Sequence, residues 1–153
     1  MADLIQREGT LSSPLLLGLY GRSNSGKTTL LETIIPLLEA EGLRVATIKQ
    51  THHNVTADAE GKDTWRHRKA GADPVVLTSD VETALFLGRK LSLDDTVKLI
   101  TSVHSIDVIL IEGWKQESVP KIFLGEGDVM PNTVMHYDGQ PSSVIELIIK
   151  MIS

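Results

Sequence analysis

"PLLLGLYGRSNSGKTTLLETIIPLL" runs from Pro14 to Leu38. Three patterns follow one another in it. Pro14–Tyr20 is a short apolar run that predicts a buried, parallel strand. Gly21–Thr28, "GRSNSGKT", fits G-x-x-x-x-G-K-[ST]. From Lys27 the apolar residues Leu30, Leu31, Ile34, Leu37 and Leu38 recur at helical spacing, and Gly42 supplies a stop. A strand, a glycine loop and a helix in that order form the context in which this motif binds phosphate. Its glycines let the backbone curl, so that N–H groups from Gly21, Arg22, Ser23, Asn24, Ser25 and Gly26 can face an anion. The helix start adds the positive end of its dipole. Lys27 is expected to reach the β- and γ-phosphates, Thr28 to offer its hydroxyl to Mg²⁺, and Thr29 to approach the α-phosphate. A plain glycine turn would explain Gly21 and Gly26 but not the Lys-Thr pair. Pro36, inside the helical pattern, predicts a kink or a break.

Nucleotide hydrolases of this kind place a carboxylate near the metal, usually at a strand end. "DVILIEG" (Asp107–Gly113) supplies Glu112 after the apolar run Val108–Ile111. The other reading is an ordinary strand-end glutamate. Asp107 precedes the strand and belongs at its far end, roughly 15 Å away at about 3.3 Å per residue, so it is set aside. No N-K-x-D or T-K-x-D stretch is present. Motifs alone therefore leave the base open.

Further strands are expected at Leu43–Lys49, at Pro74–Ser79 and Glu82–Gly88 around a turn at Asp80, and at Pro120–Glu126. A short strand at Val134–Tyr137 is a weaker reading. Asp63 can cap a short helix that Gly71 ends, and Ser92 can cap a helix running to Val103. Ser143 and Glu146 look like a capping box for the last helix. Strands alternating with helices predict an α/β fold, a mainly parallel sheet flanked by helices. No repeat, low-complexity tract or linker interrupts the chain. We expect one nucleotide-binding domain over residues 14–153, with residues 1–13 loosely ordered.

Composition narrows the function. A chain of 153 residues can bury a sizeable core without staples. It contains no cysteine, which removes disulfides and thiolate metal sites and suits a reducing compartment. The opening "MADLIQREGTLSS" is too polar for a signal peptide, and no apolar run approaches a membrane span. These features lead us to expect a cytoplasmic protein. The formal net charge of −5 argues against broad binding of nucleic acid.

Between two apolar runs lies a very polar stretch, Lys49–Asp73, "KQTHHNVTADAEGKDTWRHRKAGAD". Lys49 ends a strand on the side where ligands gather in open α/β sheets. Lys49, His52 and His53 are therefore candidates to face the nucleotide. Asp58 and Asp63 are candidates for a second contact to Mg²⁺. Lys62 and Arg66, four residues apart, can present two cations from one helix face. A solvated loop and a solvated helix face are the competing readings. A zinc site is poorly supported by adjacent histidines without cysteine.

Four stretches in this order, "GRSNSGKTTL", "VATIKQTHH", "GKDTWRHRKAGA" and "DVILIEGWKQESVPKI", resemble the molybdopterin-guanine dinucleotide biosynthesis protein B family, MobB. The similarity covers about Leu15 to Phe123. The resemblance implies a GTP-binding P-loop protein of the SIMIBI class, usually dimeric, with weak GTPase activity. It implies Mg²⁺ as cofactor and GTP or GDP as ligand. It also implies an accessory role, beside a MobA-like guanylyltransferase, in attaching GMP to molybdopterin, which is a candidate second ligand. Gln50 stands where the family often has a first histidine. The His-rich stretch is then best read as a flap beside the phosphate loop. Two other classes stay open: a phosphoryl-transfer or ligase enzyme resembling dethiobiotin synthetase, and a metal-delivery GTPase using His52 and His53.

Overall fold

A computed structural model describes residues 13–153. The rest of the expected loose N-terminus, residues 1–12, lies outside the described residues. In chain order the elements are β1 (Leu15–Tyr20), α1 (Lys27–Ala40), β2 (Val45–Lys49), α2 (Asp63–Lys69), β3 (Val75–Thr78), β4 (Thr83–Phe86), α3 (Leu93–Val103), β5 (Val108–Glu112), β6 (Lys121–Phe123), β7 (Thr133–His136) and α4 (Pro141–Ile152). They form two compact units, one comprising residues up to Thr51 with Ile100–Ser153, the other His52–Leu99.

The first unit holds a five-stranded sheet in the order β2-β5-β1-β6-β7. Every pairing in it is parallel. Parallel strands bury both faces, which is why β1 and β5 read as unbroken apolar runs. Leu17, Val108 and Leu110 of these strands pack in one cluster with Ile34 and Leu38 of α1, Ile122 of β6, and Val144 and Ile148 of α4. Full burial of such a side chain contributes roughly 1.5–3 kcal/mol.

The ends of this sheet are chemically distinct. At the start of β2 and β5, Asp107 accepts from the Arg44 backbone N–H at 2.8 Å and from its guanidinium at 2.9 and 2.8 Å. The pairing holds the Arg44 guanidinium above its ordinary pKa. Asp107 thus locks the far edge of the sheet, as its position before the strand implies.

Several local expectations change. Helix α1 runs from Lys27 through Pro36 to Ala40 without a break. Pro36 and Glu32 are exposed, so water can satisfy the carbonyl that proline leaves without a donor. Leu37 is also exposed, and the buried stripe is Leu30, Leu31, Ile34 and Leu38. The capping box at Ser143 and Glu146 does not form. Helix α4 begins earlier, with Pro141 in its first turn, where a missing N–H costs nothing. Ser143 donates instead to Asp138, which also accepts from the Gln140 N–H, both at 2.8 Å. These donors hold the Asp138 carboxyl below its usual range.

In the second unit, β3 and β4 make the expected antiparallel hairpin, with Val75 opposite Phe86 and Thr78 opposite Thr83. Helix α2 buries none of its residues. Its cap is Lys62, in extended conformation, and Asp63 falls inside the first turn, where its charge still favours the helix dipole. Ser92 caps α3 as expected, its hydroxyl accepting from the Asp95 N–H at 3.0 Å.

Candidate functional site

The glycine loop follows β1 at the carboxyl end of the parallel sheet, where ligands collect in folds of this type. Gly21 is required by space: a Cβ there would meet the Leu124 carbonyl oxygen and sit 2.7 Å from Ser25 Oγ. Gly26 is required by conformation, since it enters α1 at φ 91°. Between them Ser25 N–H closes a turn onto the Arg22 carbonyl at 3.2 Å. The Lys27 ammonium folds back over this loop. It donates to the carbonyls of Gly21 at 3.1 Å and Arg22 at 2.7 Å, and to Ser25 Oγ at 3.2 Å. The positive charge is thereby held at the mouth of the loop.

Parallel pairing brings the next residues in. Lys49 ends β2 directly opposite Glu112 at the end of β5, and Glu112 is also opposite Leu19 of β1. A cavity of about 440 Å³ is lined by Ser23, Asn24, Ser25, Gly26, Lys27, Thr28, Thr29, Lys49 and Glu112. Thus most of the phosphate candidates, one flap candidate and the strand-end acid share one concavity. Its chemistry is that of an anion cradle with a hydroxyl and a carboxylate available to a hard cation. No aromatic side chain lines it.

Two residues that the sequence reading gave no role, Gln50 and Lys121, tie down the chain around the end of β5. Gln50 donates its backbone N–H to the Glu112 carbonyl at 2.8 Å and accepts the Trp114 N–H on its side-chain oxygen at 2.9 Å. A Cβ on Gly113 would lie 2.6 Å from the Gln50 carbonyl oxygen, so only glycine lets the chain turn there. The Gln50 amide thus ties β2 to the turn after Glu112. Lys121 is 3% exposed, and its ammonium donates to the carbonyls of Glu117 and Val119. It clamps the loop between β5 and β6 from inside. The "PKI" run was the only signal for it.

The remaining candidates lie in the second unit. His52, His53, Lys62, Asp63 and Arg66 are exposed. Asp58 is 7% exposed and accepts from Thr64 at 2.7 Å and from Arg68 at 3.2 Å. These two donors orient the Asp58 carboxylate within the second unit. Among the described residues no three His, Asp or Glu side chains gather to hold a metal, and no helix is long and apolar enough to cross a membrane.

Known proteins resemble this chain in sequence and in fold. The family model described as molybdopterin guanine dinucleotide synthesis protein B matches residues 16–148, extending beyond Phe123 into the C-terminal part. A molybdopterin-guanine dinucleotide biosynthesis adapter protein of Haemophilus influenzae is 46% identical over 111 residues, 71% of this chain and 62% of that protein. Its namesake from Escherichia coli is 38% identical over 112 residues, 71% of this chain and 64% of that protein. The chain therefore matches less than two thirds of the length of these relatives. The crystal structure of Bacillus subtilis MobB superposes with a TM-score of 0.69 at 23% identity, covering 92% of this chain and 98% of that one. A MobB homologue from Bacillus stearothermophilus gives 0.58 at 23% identity, over 90% and 94% of the two chains. Sequence and fold agree, and the chain belongs to the MobB family.

Proposed function

We propose that this protein is a Mg²⁺-dependent GTP-binding adapter of molybdenum-cofactor biosynthesis, working in the cytoplasm beside a MobA-like guanylyltransferase. It assists the attachment of GMP to molybdopterin. The observation that carries this is the convergence of Lys27, Thr28, Lys49 and Glu112 on one cavity, in a chain whose relatives are named as adapter proteins. Gly21–Thr29 would hold the phosphates. Thr28 and Glu112 are hard oxygen donors and would hold Mg²⁺, which would neutralise phosphate charge. Slow hydrolysis and a carrier or switch role are part of the same reading.

A homodimer is part of this reading. The β3–β4 hairpin is an isolated two-stranded sheet that exposes Val76, Leu77 and Leu85. Such a ribbon is marginal alone and its open edges favour pairing with a second copy.

The decisive experiment is a pull-down from an extract that makes the cofactor, with and without GTP, followed by a guanylylation assay with the captured transferase. We expect a MobA-like transferase in the eluate and faster guanylylation in the presence of the adapter. Stimulated turnover of a small-molecule substrate by the chain alone would favour the ligase reading instead.

A further inference from the structure

The glycine loop rests against a wall formed just after β6. A Cβ on Gly21 would run into the Leu124 carbonyl oxygen, and one on Gly125 would stand 3.6 Å from Ser25 Cβ. One dipeptide, Leu124–Gly125, thus backs the loop at its first residue and again at Ser25, whose hydroxyl accepts from Lys27. Leu124 is well anchored: it is buried, and its N–H donates to the Tyr20 carbonyl at 2.9 Å. Gly125 is exposed, has no side chain to bury, and leaves strand geometry at φ 91°. Its carbonyl oxygen is met by His136 Nε2 at 2.7 Å. A carbonyl only accepts, so the imidazole donates, with its proton on Nε2.

The imidazole is itself held in place. His136 ends β7 opposite Phe123 of β6, and the two ring centroids are 4.9 Å apart. Phe123 in turn stacks on Tyr20 at 4.8 Å. Tyr20 immediately precedes Gly21. Its hydroxyl accepts the Met130 N–H at 2.9 Å. It donates to Thr133 Oγ1 at 2.6 Å, because Thr133 gives its own proton to the Met130 carbonyl at 2.7 Å. A file of rings therefore runs from the end of β1 to the edge strand, at spacings that favour aromatic contact. Its outermost member bonds back onto the wall of the glycine loop.

We propose that His136 is a positioning residue for the phosphate loop. By fixing the Gly125 carbonyl it sets the wall behind Ser25, and so holds Ser25 Oγ and the Lys27 ammonium where a phosphate would meet them. His136 does not line the loop cavity, so it acts through Gly125 and not on the ligand. One hydrogen bond at an exposed edge contributes modestly to stability. Its larger effect is on binding, because a loop that is already aligned spends less of its interaction energy on ordering. That the ligand is a nucleotide rests on the reading above; the contact between Gly125 and the loop does not.

The test separates the donor from the ring in the full chain. His136→Phe keeps an aromatic ring against Phe123 and removes the donor. His136→Gln keeps an N–H donor and removes the ring. Mg²⁺–GDP is titrated by calorimetry, with thermal unfolding checking the fold. His136→Phe should weaken binding about three- to tenfold, and His136→Gln should return to within about twofold of wild type. Backbone order parameters of Arg22–Gly26, from amide-nitrogen relaxation without nucleotide, should fall in His136→Phe and recover in His136→Gln. Wild-type affinity and order in His136→Phe would overturn the proposal. So would a His136→Gln variant as weak and as mobile as His136→Phe, which would make the ring contact, not the donor, the operative part. A wild-type chain that binds no Mg²⁺–GDP would remove the nucleotide reading above, and the order parameters would then decide the role of His136 by the same two outcomes.

Discussion

The unit built on the parallel sheet and the unit His52–Leu99 are stabilised in different ways. In the first, four consecutive residues of β5, Val108–Ile111, are fully buried. In the second, α2 buries nothing, and Val76 and Val81 of the hairpin region are 55% and 92% exposed. Its internal ties are largely polar: Asp58 with Arg68 and Thr64, Asp73 with Gly88, Thr78 with Thr83. The difference teaches where preorganisation resides. A loop resting on a close-packed core holds its anion cradle at little further entropic cost. A polar segment with few apolar contacts opens locally more easily and suits contacts that form and release.

The comparison breaks first, and most strongly, in stability. Ile34→Ala removes a fully buried side chain of α1. We expect a loss of about 2–5 kcal/mol in urea unfolding, against about 0.5 kcal/mol or less for Val76→Thr in the hairpin. Similar losses at both positions would mean that the hairpin is buried in solution, by a second copy for instance.

Next comes the loop itself. Lys27→Ala removes the ammonium held over Gly21 and Arg22. Charged hydrogen bonds are worth about 1.5–3 kcal/mol each, so GTP and GDP affinity should fall at least about tenfold. Equal affinity in wild type and variant, by calorimetry, would remove the phosphate-loop assignment. Glu112→Gln should act more narrowly. It keeps the shape of the cavity wall and removes its negative charge. GTP binding should become less sensitive to Mg²⁺, and residual GTPase should drop. Unchanged Mg²⁺ dependence would leave Glu112 as a strand-end acid.

The second unit should respond differently. His52→Ala with His53→Ala, and Arg66→Ala separately, should leave GDP titrations within a few-fold of wild type. The same variants should lose the preference for GTP or fail to stimulate guanylylation. Full stimulation by both would make the stretch a solvated loop. A large loss of GDP binding in a folded variant would make it part of the nucleotide pocket.

The smallest effect is expected at Asp138. Its lowered pKa means the folded carboxylate contributes above the unfolded pKa and loses that contribution as pH falls through the folded value. Wild type should therefore be slightly more stable than Asp138→Ala at neutral pH. The gap should close in acid below the ordinary carboxylate range, as read by thermal unfolding. A pH-independent gap would assign the effect to packing.

What the sequence determined by itself is local. The glycine loop, its helix, the apolar strands and the Asp80 hairpin are each written in a short period or motif, because backbone geometry responds to neighbours a few residues away. Glu112 was legible for the same reason, as an acid ending an apolar run. Tertiary structure decided what depends on distant partners. Strand order β2-β5-β1 sets Lys49 beside Glu112 across 63 residues of chain. No local pattern encodes that register. Gln50 meets Trp114, and Lys121 is buried against its own loop, only once the parallel strands align. The cap of α4 moved because Asp138 and Pro141 together start the helix sooner than Ser143 could. Asp58 stood in the sequence as an acid without a visible partner, and the fold supplies Arg68. Contacts of this kind arise when the chain buries its apolar residues, and their energies decide which of several locally permitted arrangements persists.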